Sequence, residues 1–221
     1  GLSKFRAFMS QKTYDGSLKW MGGAFDLTQP TPVRLTERFG EALVYAFSLH
    51  SGQSRKTSSV PYISHLLAVT ALVLEDGGAE EEAIAALLHD AVEDQGGWEI
   101  LEEIRSRFGE KVALIVDGCT DAYDLPKPPW RERKERFIEK LIISTPEIFR
   151  VSLADKLHNA RAILDDLRRY GSKTWDKFNG GKAGTLWYYQ TLLSVYQANY
   201  AGHMVEELER VIAEIQRLAH E

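Results

Sequence analysis

The segment Ala85-Ala86-Leu87-Leu88-His89-Asp90-Ala91-Val92-Glu93-Asp94 sets four polar side chains into a run otherwise made of Ala, Leu and Val. His89, Asp90, Glu93 and Asp94 are related by i, i+1, i+4 and i+5, which on an α-helix places them along one edge. An imidazole and three carboxylates so close together must be either solvated or joined by a cation. His with carboxylates is a mixed N/O ligand set for a divalent metal. On these residues alone, a metal-binding edge and a solvated helix end both stand. Two further segments add to them. Pro61-Tyr62-Ile63-Ser64-His65 places an imidazole in the first turn of a preceding helix. Val151 to Arg161 (VSLADKLHNAR) places Asp155 and Asn159 one turn apart, beside the apolar stripe Leu153, Ala154, Leu157 and Ala160. A carboxylate flanked by apolar turns is costly to bury unless it is paired or metal-bound.

The elements that must hold these residues read as helices almost throughout. Leu35, Phe39, Leu43, Ala46 and Phe47 recur at three- and four-residue steps. Pro61 stands where a helix can start, and Ile63, Leu66, Leu67, Thr70 and Leu74 continue it to Gly77-Gly78. A third helix is expected from about Ala79 to Asp94, with Glu80 to Glu82 in its first turn, where acids suit the helix dipole. Trp98 to Phe108, Lys111 to about Thr120, Trp130 to Ile143, Glu147 to Tyr170, Thr185 to Tyr200 and Met204 to His220 complete the set. The prolines of Leu125 to Pro129 make that stretch a loop. Strand-like alternation is nearly absent. The expected fold is all-α, a single helical bundle of about nine or ten helices over residues 33–221. Residues 1–32 are expected to form an irregular arm, with a short helix near Leu2 to Met9.

Composition narrows the function classes. Lys plus Arg number 27 against 32 Asp plus Glu, a net charge of −5. A mildly acidic chain is poorly suited to general nucleic-acid or anionic-membrane binding, which needs a basic surface. No run approaches the ~18 apolar residues of a membrane span. Cys119 is the single cysteine, so no intrachain disulfide can form, which fits a reducing compartment. The expectation is a soluble, cytoplasmic protein that handles a small molecule.

In this setting the sequence resembles the HD-domain superfamily, whose metal motif is a His, then His-Asp, then a distant Asp. The closer likeness is to the hydrolase domain of the RelA/SpoT family and its stand-alone small alarmone hydrolases. It rests on His50-Ser51-Gly52-Gln53-Ser54-Arg55-Lys56, on Pro61 to His65, on Ala85 to Asp94 (AALLHDAVED), on Phe108-Gly109 with Val112 and Val116 to Thr120, and on Leu153 to Arg161 (LADKLHNAR). These run in the family's order over roughly residues 36–165. The resemblance implies that His65, His89, Asp90 and Asp155 hold a metal, usually Mn²⁺. It implies that Glu93 and Asp94 position and activate the attacking water. Asn159 is then a substrate contact near the metal, Arg55 and Lys56 the basic pair against the nucleotide, and Lys127 a contact to substrate phosphate, with Lys182 as a second. The implied reaction removes the 3′-diphosphate of ppGpp as pyrophosphate and leaves GDP. Such ligands suit it, because a divalent metal polarises a phosphoryl oxygen and acidifies a water, a carboxylate takes the proton, and cations neutralise the pyrophosphate.

Other residues have plainer readings. His50, at the end of the first helix, is tempting as a ligand but is expected to be structural, and His158, on a side turned from Asp155, is expected to be structural or to support the site from behind. Cys119 is expected to be a buried thiol. Arg131 to Arg136 reads as a solvated face of i,i+3 and i,i+4 ion pairs, with the alternative that one cation lines the pocket. Trp187, Tyr188, Tyr189, Tyr196 and Tyr200 read as core. One residue more than in the usual family spacing separates Lys56 from His65, with Thr57 to Val60 in the loop. That keeps open a second substrate class: NADPH, an adenine alarmone or a nucleoside phosphate. The Arg-Leu-Gly ending of the long family members is missing from Thr174 to Glu221, and no synthetase domain is expected to follow. The expectation is therefore a protein that degrades its nucleotide. A non-catalytic nucleotide sensor is the remaining alternative.

Overall fold

The computed structural model describes residues 33–56, 58–123 and 126–220. The expected arm and its short helix, and also Thr57 and Leu125, lie outside the described residues. Ten α-helices and one 3₁₀ turn follow in order, with no strand among the described residues. They are α1 Glu37–Leu49, α2 Ile63–Glu75, α3 Glu80–Leu88, α4 Ala91–Gln95, α5 Gly97–Phe108, α6 Glu110–Cys119, α7 Trp130–Ile142, α8 Pro146–Tyr170, the 3₁₀ turn Gly171–Lys177, α9 Gly181–Asn199 and α10 His203–His220. The interlocking helices delimit one unit from Val33 to Glu221.

The long α8 is the axis of the bundle. Pro146 opens it at a position where a missing N–H costs nothing, and Gly171 ends it at φ 58°. Its stripe Leu153, Ala154, Leu157, Ala160, Ile163, Leu164 and Leu167 is buried. Around it pack α2, α3, α6 and α10. Because α2 and α3 both lean on α8, His65, His89 and Asp155 are drawn to one place in the core although they are far apart in sequence.

The largest difference from the sequence expectation lies in the segment 79–94. The expected single helix is two, broken at His89 and Asp90. Both residues keep right-handed helical backbone angles, φ −60° and −95°, so the chain bends without reversing. The break follows from chemistry. Ile84 to Leu88 are fully buried, whereas Glu93 and Asp94 are hydrophilic and must reach the surface. A straight helix would hold all four polar groups on one edge; the bend separates them into an inner pair and an outer pair. The sequence also missed the 3₁₀ turn and the first turn of α9. Of the aromatic residues expected in the core, Tyr188, Tyr189 and Tyr196 are buried, with the Tyr196 and Ser152 hydroxyls 2.7 Å apart, while Trp187 and Tyr200 are partly buried and pack against it.

Candidate metal centre and active site

Four side chains converge at the centre of the bundle. His65 comes from the first turn of α2, His89 and Asp90 from the break between α3 and α4, and Asp155 from the middle of α8. His65 Nε2 lies 3.1 Å from Asp155 Oδ1 and 3.4 Å from Asp90 Oδ2. His89 Nε2 lies 3.0 Å from Asp90 Oδ2 and 3.6 Å from Asp155 Oδ1. One ligand atom from each of His65, His89 and Asp155 falls within 4.8 Å of the others. Both imidazoles are fully buried, and neither Nε2 makes a hydrogen bond. A buried nitrogen without a hydrogen bond is expensive unless something else takes its lone pair.

The second nitrogen of each ring explains which lone pair points inward. His89 Nδ1 donates to the Ala86 carbonyl at 2.8 Å, so Nδ1 carries a proton and Nε2 is the nitrogen turned to the carboxylates of the cluster. His65 Nδ1 lies 2.8 Å from His158 Nδ1. Burial, with the His65 ring and the Arg55 guanidinium close by, pushes His158 down to about 4, so at neutral pH it is uncharged and able to accept the His65 Nδ1–H. His65 Nε2 is likewise the nitrogen turned to Asp155 and Asp90. His158 thus sits directly behind a candidate ligand, on the same side of α8 as Asp155 rather than turned from it.

The carboxylates are held just as firmly. Asp155 Oδ1 accepts from Asn159 Nδ2 at 2.6 Å, and its Oδ2 accepts from the Lys156 ammonium. Asp90 Oδ2 accepts the Tyr62 hydroxyl at 2.5 Å. Burial alone would push both carboxyls up; the imidazoles, and Lys156 beside Asp155, win and hold both well below the usual carboxylate range. By the same balance, burial would lower His89, yet Asp90 and Asp155 raise it well above its ordinary value. Carboxylates that favour a proton on a buried imidazole favour a divalent cation in the proton's place. The donor set fits such an ion.

Glu93 and Asp94 stand outside this inner group, on separate tethers. Glu93 Oε1 lies 2.8 Å from Lys127 Nζ and 3.7 Å from the Arg133 guanidinium. Burial, and then the neighbouring Asp121, raise its carboxyl, with Lys127 opposing. Asp94, exposed at the rim, accepts from Gln53 Nε2 at 2.8 Å through Oδ2; desolvation where its carboxyl faces the site, and then the Asp90 charge, raise it. Arg55 donates to Asn159 Oδ1 at 2.7 Å, with its guanidinium 5.7 Å from the Tyr62 ring centre, and Lys56 is exposed. Lys182 is placed elsewhere: its ammonium bonds to the Ala219 carbonyl near the end of α10, and it does not join the cluster.

Sequence reasoning missed Tyr62, Lys156 and Asp121, whereas Arg133, 3.7 Å from Glu93, answers to the alternative that one cation of the 131–136 run lines the pocket. The i,i+4 pairs Arg131–Glu135 and Arg136–Glu132 do form the expected solvated face. Arg133 and Lys134 turn inward to Asp121, each at 2.5 Å. The apolar residues Phe137, Ile138 and Leu141, which set the buried side of α7, put Arg133 on that side, a signal the charge run concealed.

An all-helical bundle with buried His, His-Asp and distant Asp groups from three helix regions defines a class, and the HD domain family model matches residues 42–185; the chain belongs to the HD-domain family. It is 39% identical over 140 residues to a Xenopus tropicalis protein named guanosine-3′,5′-bis(diphosphate) 3′-pyrophosphohydrolase MESH1, over 62% of this chain and 73% of that one. An Aquifex aeolicus protein named guanosine-3′,5′-bis(diphosphate) 3′-pyrophosphohydrolase is 37% identical over 130 residues, 58% of this chain but 18% of that much longer one. A solved structure described as a metazoan ortholog of SpoT that hydrolyzes ppGpp matches with a TM-score of 0.68 at 26% identity, covering 85% of this chain and 99% of that one. Among the described residues no helix is long and apolar enough to cross a membrane.

Proposed function

We propose that the protein is a metal-dependent pyrophosphohydrolase that cleaves the 3′-diphosphate of ppGpp, giving GDP and pyrophosphate, with Mn²⁺ as the metal. The observation that carries it is the pair of buried, unbonded Nε2 atoms facing Asp90 and Asp155, with Glu93 and Asp94 held at the rim. The names of the similar proteins supply the substrate. The residues that would hold the cation are His65, His89, Asp90 and Asp155. When bound there, it polarises a phosphoryl oxygen and acidifies a water. Glu93 and Asp94 orient that water and take its proton, worth typically ~10²–10⁴-fold. The water oxygen bonds to the phosphorus next to the ribose, the 3′-oxygen leaves with the bonding pair, and it is protonated to the hydroxyl. Lys127, released from Glu93 by the entering phosphates, neutralises their charge together with Arg133. Arg55 and Lys56 flank the nucleotide, and Asn159 ties the substrate side to Asp155. Lys182, occupied by Ala219, has no part in this reading. With one cysteine, the chain fits a reducing compartment, and the cytoplasm is the proposed location.

The test is one product assay: purified protein with Mn²⁺ and, separately, ppGpp, ppApp, NADPH and GTP, beside an Asp90→Ala control. The expected outcome is pyrophosphate and GDP from ppGpp alone, lost in the control. Turnover of another member would move the assignment to a different nucleotide, with the 57–60 loop as its cause. Tight binding of ppGpp without product would mean a sensor.

A further inference from the structure

We propose that Gln53, oriented by His50 and Gln95, is a positioning residue that holds Asp94 in its catalytic place; this rests on the reading of Asp94 given above. Asp94 is exposed at the end of α4, where an untethered carboxylate would rotate freely. Its Oδ2 accepts from Gln53 Nε2 at 2.8 Å. An amide has one accepting end and one donating end, and here the neighbours decide which faces where. Gln95 Nε2 donates to Gln53 Oε1 at 2.7 Å, and His50 Nδ1 lies 2.7 Å from the same oxygen. Two donors on Oε1 leave Nε2 to face the acid.

The base of this relay is rigid. His50 is 3% exposed and stacks on Tyr62, with ring centres 5.2 Å apart and planes 16° from parallel. Its buried Nε2 makes no hydrogen bond, whereas Nδ1 faces the Gln53 oxygen, which can only accept, so Nδ1 is the donor. The Gln53 backbone is fixed at both ends: its N–H donates to the His50 carbonyl at 3.0 Å, and its carbonyl accepts the Tyr62 N–H at 2.9 Å. Tyr62 in turn donates to Asp90. The short turn after α1 therefore braces the outer acid through a side chain and an inner ligand through a ring. A turn with a merely structural role would need the backbone bonds and not the amide.

The experiment is a double-mutant cycle on the full chain with Mn²⁺ and ppGpp: Gln53→Met, Asp94→Ala and both together, with melting temperatures for each. Methionine keeps the length and removes both amide functions; Gln53→Glu, which sets a second carboxylate against Asp94, serves as the other variant. Gln53→Met should lower kcat by roughly 10- to 100-fold, the range expected when a reacting group is misplaced, with KM and melting temperature little changed. In the Asp94→Ala background it should cost less than about twofold, because coupled residues are not additive. Equal losses in both backgrounds would overturn the proposal. ¹⁵N spectra of labelled histidines give a readout that needs no substrate: His50 should be the Nδ1–H tautomer in the wild type and lose that preference in Gln53→Met. An Nε2–H tautomer in the wild type would overturn the relay. A protein inert to ppGpp with the expected tautomer would fault the substrate reading alone.

Discussion

At the scale of single residues, the proposed function separates groups that would bind a cation from groups that would move a proton, and variants should separate the same way. Asp90→Ala, which strips a carboxylate from between two imidazoles, should abolish both metal binding, read by calorimetric titration, and turnover. Glu93→Ala should keep the metal and lose roughly 10²–10⁴ in rate; wild-type kcat in that variant would remove Glu93 from proton transfer. The pH profile carries a further signature. Glu93 is raised by burial and by Asp121, against the pull of Lys127. A base with a raised pKa gains its active, ionised form only at higher pH, so kcat/KM should rise with pH along a limb lying above the ordinary value of 4.5. Asp121→Asn removes the negative neighbour and frees Arg133 and Lys134 to turn toward Glu93. Both changes lower its pKa, so the limb should move to lower pH. An unmoved limb would mean that another group sets it. The ligand types themselves were legible in the sequence, because His89-Asp90 and Asp155 are polar intrusions in apolar stripes. Tyr62 and Lys156 were not, and Arg133 only as one cation among several, because a tyrosine, a lysine and an arginine on mixed helices carry no such contrast until the partner helix is in place.

Among the elements, the helix boundaries came mostly from periodicity, and the failure came where tertiary demands outweighed it. The segment 80–94 has continuous helical character, and only the opposing needs of buried Leu87-Leu88 and hydrophilic Glu93-Asp94 explain its bend. The packing of α6 on α8 offers a sharper test of element-level reasoning. Gly118 lies in the last turn of α6, where alanine would ordinarily favour a helix by ~0.5–1 kcal/mol. A Cβ there would meet three atoms of the Ile148 side chain at 2.6 to 2.8 Å, closer than side chains pack. Gly118→Ala should therefore destabilise, by ~1–3 kcal/mol of overpacking, as read by urea denaturation. Adding Ile148→Val or Ile148→Ala should recover part of the loss. A stabilised Gly118→Ala would show that Ile148 yields freely.

Across the whole molecule, polar ties bind its two ends in a way the chain order hides. Arg150, on the first half of α8, pairs with Asp76 at 3.0 Å and also with Glu82, and Asp76 accepts the Tyr200 hydroxyl beyond α9. The Asp76 and Glu82 side chains are nearly buried, so Arg150→Ala leaves two carboxylates without their counter-charge. The expected cost is ~3–5 kcal/mol, visible as a lower denaturant midpoint, and Arg150→Lys should recover only part because one ammonium cannot fork between both acids. The proposed metal centre would be a second such tie. The candidate ligands reach from His65 on α2, through His89 and Asp90, to Asp155 on α8, and a cation seated among them would staple segments that separate when the chain unfolds. Binding restricted to the folded chain adds about 2.7 kcal/mol at a hundredfold excess over Kd. A chelator should then lower the melting temperature and hasten cutting by protease, so metal supply would govern how long each molecule survives as well as how fast it works.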